Sequence, residues 1–290
     1  ETAPPPPVVA PFFDKGSNTF SYVVSDPATK CCAVIDSVLN FDYASGAISH
    51  EGADAIIAYI KMHSLNTEWL IETHVHADHL SAAPYIQSSV GGTLAIGKQI
   101  TVVQETFAAV YNEGKGFCRD GSQFDHLFKD GEKYTIGNLQ ATALHTPGHT
   151  PACFTHVIGN AAFIGDTMFM PDAGTARADF PGGDAAVLFR SIQRILELPS
   201  DTRLFMCHDY GPDGREIEYQ TTVAEQSAQN IHINQLVDEA DFVALREARD
   251  ATLGMPQLIL PSLQVNMRAG HLPEPENNNT VYLKIPINAF

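Results

Sequence analysis

Between residues 74 and 79 the chain reads HVHADH, placing His74, His76, Asp78 and His79 within one short stretch directly after the apolar run WLIET at 69–73. That run reads as a short buried strand, so these side chains stand on the loop that leaves it. Their distant partners constrain the fold. His149 in HTPGHT, Asp166 in FIGDT and His208 in CHDYG each follow another strand-like stretch. Loops at one edge of a packed sheet can bring ligand-type residues from separate strand ends together in one cleft. A solvated acidic loop with incidental histidines is the plainer alternative, and the density of the motif argues against it.

The rest of the chain fits such a sheet. TFSYVVS at 19–25 and CCAVID at 31–36, separated by the turn-forming DPATK, predict a hairpin. Helices are expected at 52–63, where Ile56, Ile57 and Ile60 share a face, and at 98–111, 184–197, 216–230 and 234–252. Further strands are expected at 139–146, 153–158, 161–165 and 203–207. Between Asp166 and the helix at 184 lies the Gly/Pro/Asp-rich MPDAGTARADFPGGD, and from 261 the tail reads as irregular, with a strand at 280–285. With no repeat or long linker, the expected organisation is an extended proline-rich arm over 1–11 and one domain over 12–290 with a covering C-terminal segment.

Composition removes several function classes. The formal net charge of -17 repels nucleic-acid backbones and anionic membrane surfaces. No stretch approaches the roughly 18 apolar residues of a membrane span. Scattered cysteines, including the adjacent Cys31 and Cys32, form neither a disulfide framework nor a CxxC pattern, which suits free thiols and a cytoplasmic setting. The chain starts with Glu rather than Met, so an earlier presequence stays open.

Imidazole and carboxylate ligands of this kind suit zinc, iron or manganese. Pro147 and Gly148 make a turn that presents His149, while Asp166 stands at a strand exit where a carboxylate can bind or bridge metals. Asp36, ending CCAVID, is a candidate to orient a ligand histidine or to cap a turn. Cys207 beside His208 reads as a buried packing thiol. Spacing leaves open whether one metal is held or two.

The set His74, His76, Asp78, His79, His149, Asp166 and His208 resembles that of the metallo-β-lactamase superfamily from about residue 12 to the tail. The resemblance implies an α+β fold, a four-layer αββα sandwich with the metal at one edge. By resemblance to glyoxalase II-like members, His74, His76 and His149 hold one metal, Asp78, His79 and His208 a second, and Asp166 bridges two Zn, Fe or Mn ions that activate water against a glutathione thioester. A narrower resemblance, carried by ETHVHADHLSAAPYIQ, HTPGHTPACFTHV, GDTMFMPDAGTARADFPGGD and MCHDYGPDGREIEYQTTVAEQ, is to the bacterial-type persulfide dioxygenases, also called β-lactamase-like hydrolases.

That family implies one Fe(II) per chain, held by His74, His149 and Asp166, with His76, Asp78, His79 and His208 nearby. Glutathione persulfide and dioxygen are the implied partners and sulfite and glutathione the products. Arg177 matches a substrate-side arginine that pairs with a glutathione carboxylate, and Tyr210 a pocket tyrosine that donates a hydrogen bond; a surface ion pair and a packing role are their plainer readings. The loop before Arg177 is expected to lie over the cleft. Because the superfamily match takes up the chain, no rhodanese-like second domain is expected, and a homodimer is a reasonable expectation. A metal-binding, sulfur-sensing partner of a regulator is the non-enzymatic alternative, disfavoured by so complete a ligand set.

Overall fold

Alternating apolar residues decide how the strands stack. The computed structural model describes residues 5–289 and contains two six-stranded sheets. The first runs, in spatial order, β1 (Val8–Asp14), β2 (Thr19–Ser25), β3 (Cys31–Ile35), β6 (Asn66–Ile71), β8 (Thr93–Gly97) and β9 (His126–Phe128). The second runs β10 (Glu132–Ile136), β11 (Leu139–His145), β12 (Phe154–Ile158), β13 (Ala161–Phe163), β14 (Arg203–Phe205) and β15 (Gln220–Thr222). A small sheet orders β5 (Ala47–Ser49), β4 (Val38–Asp42) and β7 (Leu80–Ser81).

In β2, Phe20, Tyr22 and Val24 point toward the second sheet, and the Tyr22 ring meets Phe163 and Phe205 edge-on. Val23 points the other way, into a core shared with α1 (Glu51–Met62), α2 (Ala83–Val90), α3 (Ile100–Val110) and α7 (Ile259–Asn266). The second sheet repeats the pattern: Ala161 and Phe163 face inward, whereas Ala162 and Leu204 face α4 (Ala185–Leu196), α5 (Val223–Gln229) and α6 (Glu239–Asp250). Both sheets are therefore covered on both faces, which is why β2 is buried along its whole length. The layers are helix, sheet, sheet, helix: the expected αββα sandwich.

The two sheets meet where the ligands gather. Phe20 N–H donates to the Cys207 carbonyl at 2.7 Å, and Asp209 N–H to that of Asn18 at 3.3 Å, so the segment carrying His208 crosses to the start of β2.

Several expectations about elements need correction. Residues 8–11, assigned to the arm, are the first half of β1 and pair with β2, because one edge of that hairpin was still unpaired; residues 1–4 of the arm lie outside those described. Residues 216–222 are not helical: 220–222 form β15, and the helix starts at Val223 behind the Thr222–Glu225 capping box. The next helix begins at Glu239 rather than 234, where the Asp238 side chain accepts Asp241 N–H. Residues 280–285 form no strand, because the side chain of Gln264 takes the bonds a neighbouring strand would make, accepting Lys284 N–H at 2.7 Å and donating to its carbonyl at 2.9 Å.

Candidate metal centre

Five strand exits converge at one end of the sandwich: β3 delivers Asp36, β6 the 74–79 loop, β11 His149, β13 Asp166 and β14 His208. Two of the turns depend on glycine. Gly148 has φ +135° and lies against the Leu188 backbone at the start of α4, where a Cβ would clash. Gly165 has φ +53°, and a Cβ there would stand 2.8 Å from Thr73 Oγ1. Asp36 takes φ 52° without being glycine, an unfavourable conformation held by its side-chain bonds.

At the centre, His74 Nε2 and His149 Nε2 lie 3.8 and 3.6 Å from Asp166 Oδ2. Its other oxygen, Oδ1, faces His208 Nε2 at 3.2 Å, and that nitrogen is 3.5 Å from Asp78 Oδ2. The ligand atoms of His74, His149 and Asp166 lie within 4.8 Å of one another, as do those of His76, Asp78 and His79. The structure thus assembles every residue of the expected ligand set, and Asp166 turns one oxygen to each half.

The hydrogen bonds decide which imidazole nitrogens are left bare. Thr73 donates its hydroxyl proton to Asp36 Oδ2 at 2.8 Å, so its lone pair accepts from His74 Nδ1 at 3.0 Å. His74 Nε2 is then an unprotonated donor atom facing the centre. His149 Nδ1 donates to the Arg177 carbonyl at 2.8 Å and His208 Nδ1 to that of Asn18 at 3.2 Å, turning both Nε2 atoms inward. His76 reverses the arrangement: Nε2 lies 3.0 Å from Asp36 Oδ1 and 3.3 Å from Glu72 Oε2, leaving Nδ1 bare. His74 Nε2, His76 Nδ1 and His79 Nε2 are buried without a hydrogen-bond partner. Buried imidazole nitrogens stripped of water and left unpaired are costly, and a metal ion is the partner that suits them.

Electrostatics point the same way. Burial works against charge on Asp166, yet His208, His74 and His149 hold its carboxyl well below the usual carboxylate range. Burial likewise opposes ionisation of Asp36, but the neighbouring His76 brings it down to about 2. For His208 burial disfavours the proton, and Asp166 and Asp78 outweigh it, raising the imidazole to about 9. The centre is built to hold positive charge.

A cleft of about 1260 Å³ opens from this centre and is lined by Phe169, Thr175, Arg177 and Phe180 from the loop after Asp166, which lies along it as expected. Tyr210 is 55% exposed at the cleft, its ring parallel to that of His208 at 6.1 Å. Arg177 also lines the cleft, but its guanidinium is committed to Asp179 at 2.6 and 2.8 Å and to the Gly254 carbonyl at 2.7 Å. Arg246 is spent on Asp250 and Thr175. Arg249, exposed on the cleft wall, makes no ion pair among the described residues. No described helix is long and apolar enough to cross a membrane.

The model of the metallo-beta-lactamase superfamily matches residues 14–208, two thirds of the chain. The chain belongs to this superfamily. Among its relatives, a probable metallo-hydrolase of Burkholderia pseudomallei is 55% identical over 289 residues, covering 96% of this chain and 98% of that protein. A beta-lactamase hydrolase-like protein of Agrobacterium fabrum is 54% identical over 98% of the chain, which spans 65% of that longer relative. The human mitochondrial persulfide dioxygenase ETHE1 is 27% identical, with 91% of this chain and 89% of that one covered. The crystal structure of ETHE1 from Myxococcus xanthus superposes with a TM-score of 0.72 at 25% identity, over 91% of this chain and 100% of that one.

Within this metallo-beta-lactamase scaffold, several contributors had no sequence signal. Thr73 and the Arg177 carbonyl orient the candidate ligand histidines His74 and His149. Glu72 supports His76, and Thr19 Oγ1 sits among Asp78, His79 and His208 at 3.3, 3.4 and 3.3 Å. Threonines and backbone carbonyls carry no motif; only the position of Thr73 beside His74 could have drawn attention to it.

Proposed function

We propose that the protein is an iron-dependent persulfide dioxygenase that oxidises glutathione persulfide to sulfite and glutathione. The observation that carries this reading is the group of two imidazoles and one carboxylate, His74, His149 and Asp166, on one face of an open cleft. Iron bound there supplies the redox chemistry that joins dioxygen to sulfur, as this ligand set does in non-haem iron oxygenases. Both atoms of dioxygen pass to the terminal sulfur, water supplies the third oxygen of sulfite, and the S–S bond breaks to release glutathione.

The residues of the chain have definable tasks. Thr73 and the Arg177 carbonyl fix the His74 and His149 rings with Nε2 inward. Partial burial and the carboxylates of Asp166 and Asp78 raise the Tyr210 phenol, keeping it a protonated hydrogen-bond donor beside the reacting sulfur. With Arg177 bound to Asp179, Arg249 is, among the described residues, the cleft-wall arginine without an ion pair that is placed to meet a substrate carboxylate. The similarity to ETHE1 proteins supports this reading.

A second reading, a dinuclear metal hydrolase of glutathione thioesters, draws on the division of Asp166 between the two halves. It also suits the metallo-hydrolase name of the Burkholderia relative. Iron-loaded protein given glutathione persulfide should consume oxygen while carrying one iron per chain. No uptake at full iron occupancy, combined with two metals per chain and turnover of S-lactoylglutathione, would replace the first reading with the second.

A further inference from the structure

The 74–79 loop has no ladder or helix to satisfy its backbone, and buried carbonyls in such a bend need partners. Two of them find the same one. Asn266, at the last turn of α7 and 5% exposed, donates from Nδ2 to the His76 carbonyl at 2.8 Å and to the His79 carbonyl at 2.7 Å. Its Oδ1 accepts Ser81 N–H at 2.8 Å, where the loop becomes β7. One amide thus grips the loop at three points, nearly two hundred residues away in sequence. Both N–H groups and the oxygen are used, and the flipped amide would set its oxygen against two carbonyls.

We infer that Asn266 is a positioning residue of the metal centre, fixing the backbone of the 74–79 loop so that His74, which the same loop carries, stays in register with His149 and Asp166. The chemistry of the side chain is specific. Aspartate would place a carboxylate oxygen against two carbonyls, alanine would leave both unpaired, and glutamine is one methylene too long. The grip is rigid because α7 is anchored independently: Ile259, Leu263 and Val265 lie in the core beneath the first sheet, and Gln104 donates to the Met267 carbonyl at 3.0 Å. The C-terminal segment is in this way part of the metal centre, although it supplies no ligand.

The inference rests on the loop holding a metal, not on which reaction follows. Its test is cobalt(II) titration of the full chain, reading affinity by chelator competition and coordination by the visible absorption bands. Asn266→Asp should bind at least tenfold more weakly with altered bands, and Asn266→Ser, which keeps one donor, should fall between it and wild type. Gln264→Ala is the control, since it removes buried hydrogen bonds from the same helix without touching the loop; it should lower thermal stability and leave affinity and bands unchanged. If Asn266→Asp, or Asn266→Ser should the first not fold, binds cobalt with wild-type affinity and bands, the inference fails. It fails equally if Gln264→Ala loses metal as Asn266→Asp does. Wild type that binds no cobalt would instead remove the metal-centre reading beneath it.

Discussion

At Thr73 a single hydroxyl determines which nitrogen of His74 is available. Donation to Asp36 leaves only a lone pair for His74 Nδ1, so the bare Nε2 is the product of a three-residue chain that begins at the end of β3. Removing such an orienting partner costs about 10- to 100-fold in metal affinity. Thr73→Val, which keeps the shape and deletes the hydroxyl, should show a loss of about that size in chelator competition. His79 separates the two readings of metal number. Its Nε2 is buried and unpaired, so His79→Ala should weaken turnover while leaving the iron content intact if one ion sits on His74, His149 and Asp166. Elemental analysis that finds the metal content halved would instead assign His79 to a second ion. The candidate ligand residues that the fold brings together were legible because HxHxDH is dense and its partners follow strands. Thr73, Thr19 and Asn266 were not, because a side chain that bonds to backbone or to another ligand leaves no spacing to read.

Among the elements, α4 shows how a helix and a ligand turn constrain each other. Asp184 caps it by accepting Val187 N–H at 2.9 Å, and Asp184 N–H donates to the Gly148 carbonyl at 2.9 Å. Gly148 therefore sits between His149 and the helix start, at positive φ and with no space for a Cβ. Gly148→Ala should cost about 3 kcal/mol in urea unfolding, the combined scale of left-handed strain and overpacking. Helices with a clear apolar stripe, α1 and α4, were legible to within a residue or two. By contrast α7 was read as irregular tail, since it is buried on nearly every side, with Ser262, Gln264 and Asn266 among its buried residues. A helix buried all round shows no stripe, and its polar residues are explained only by the bonds they make elsewhere.

For the whole molecule, the burial of neutral histidine ties stability to pH. His156, between the sheets beside Tyr134, Phe128 and Phe154, is depressed to about 4, chiefly by burial and against the opposing charge of Asp36. The unfolded chain protonates it near pH 6.5, so the unfolded state binds more protons between that value and about 4. The stabilisation is complete above about pH 6.5 and is lost as the pH falls toward 4, by about 3 kcal/mol. Metal-free wild type should lose urea resistance across that window more steeply than His156→Gln; equal slopes would show that His156 stays neutral in both states or charged in both.

The sequence by itself determined which residues could bind metal and that strands deliver them, because ligand chemistry and apolar runs are written residue by residue, while the four-layer sandwich followed from the family resemblance. Only the tertiary structure decided which nitrogen of each imidazole faces the centre, that Arg177 is committed to Asp179 while its carbonyl holds His149, and that the tail returns as α7 to grip the ligand loop. Those are hydrogen bonds between residues far apart in the chain, and their partners become definite only when the layers pack.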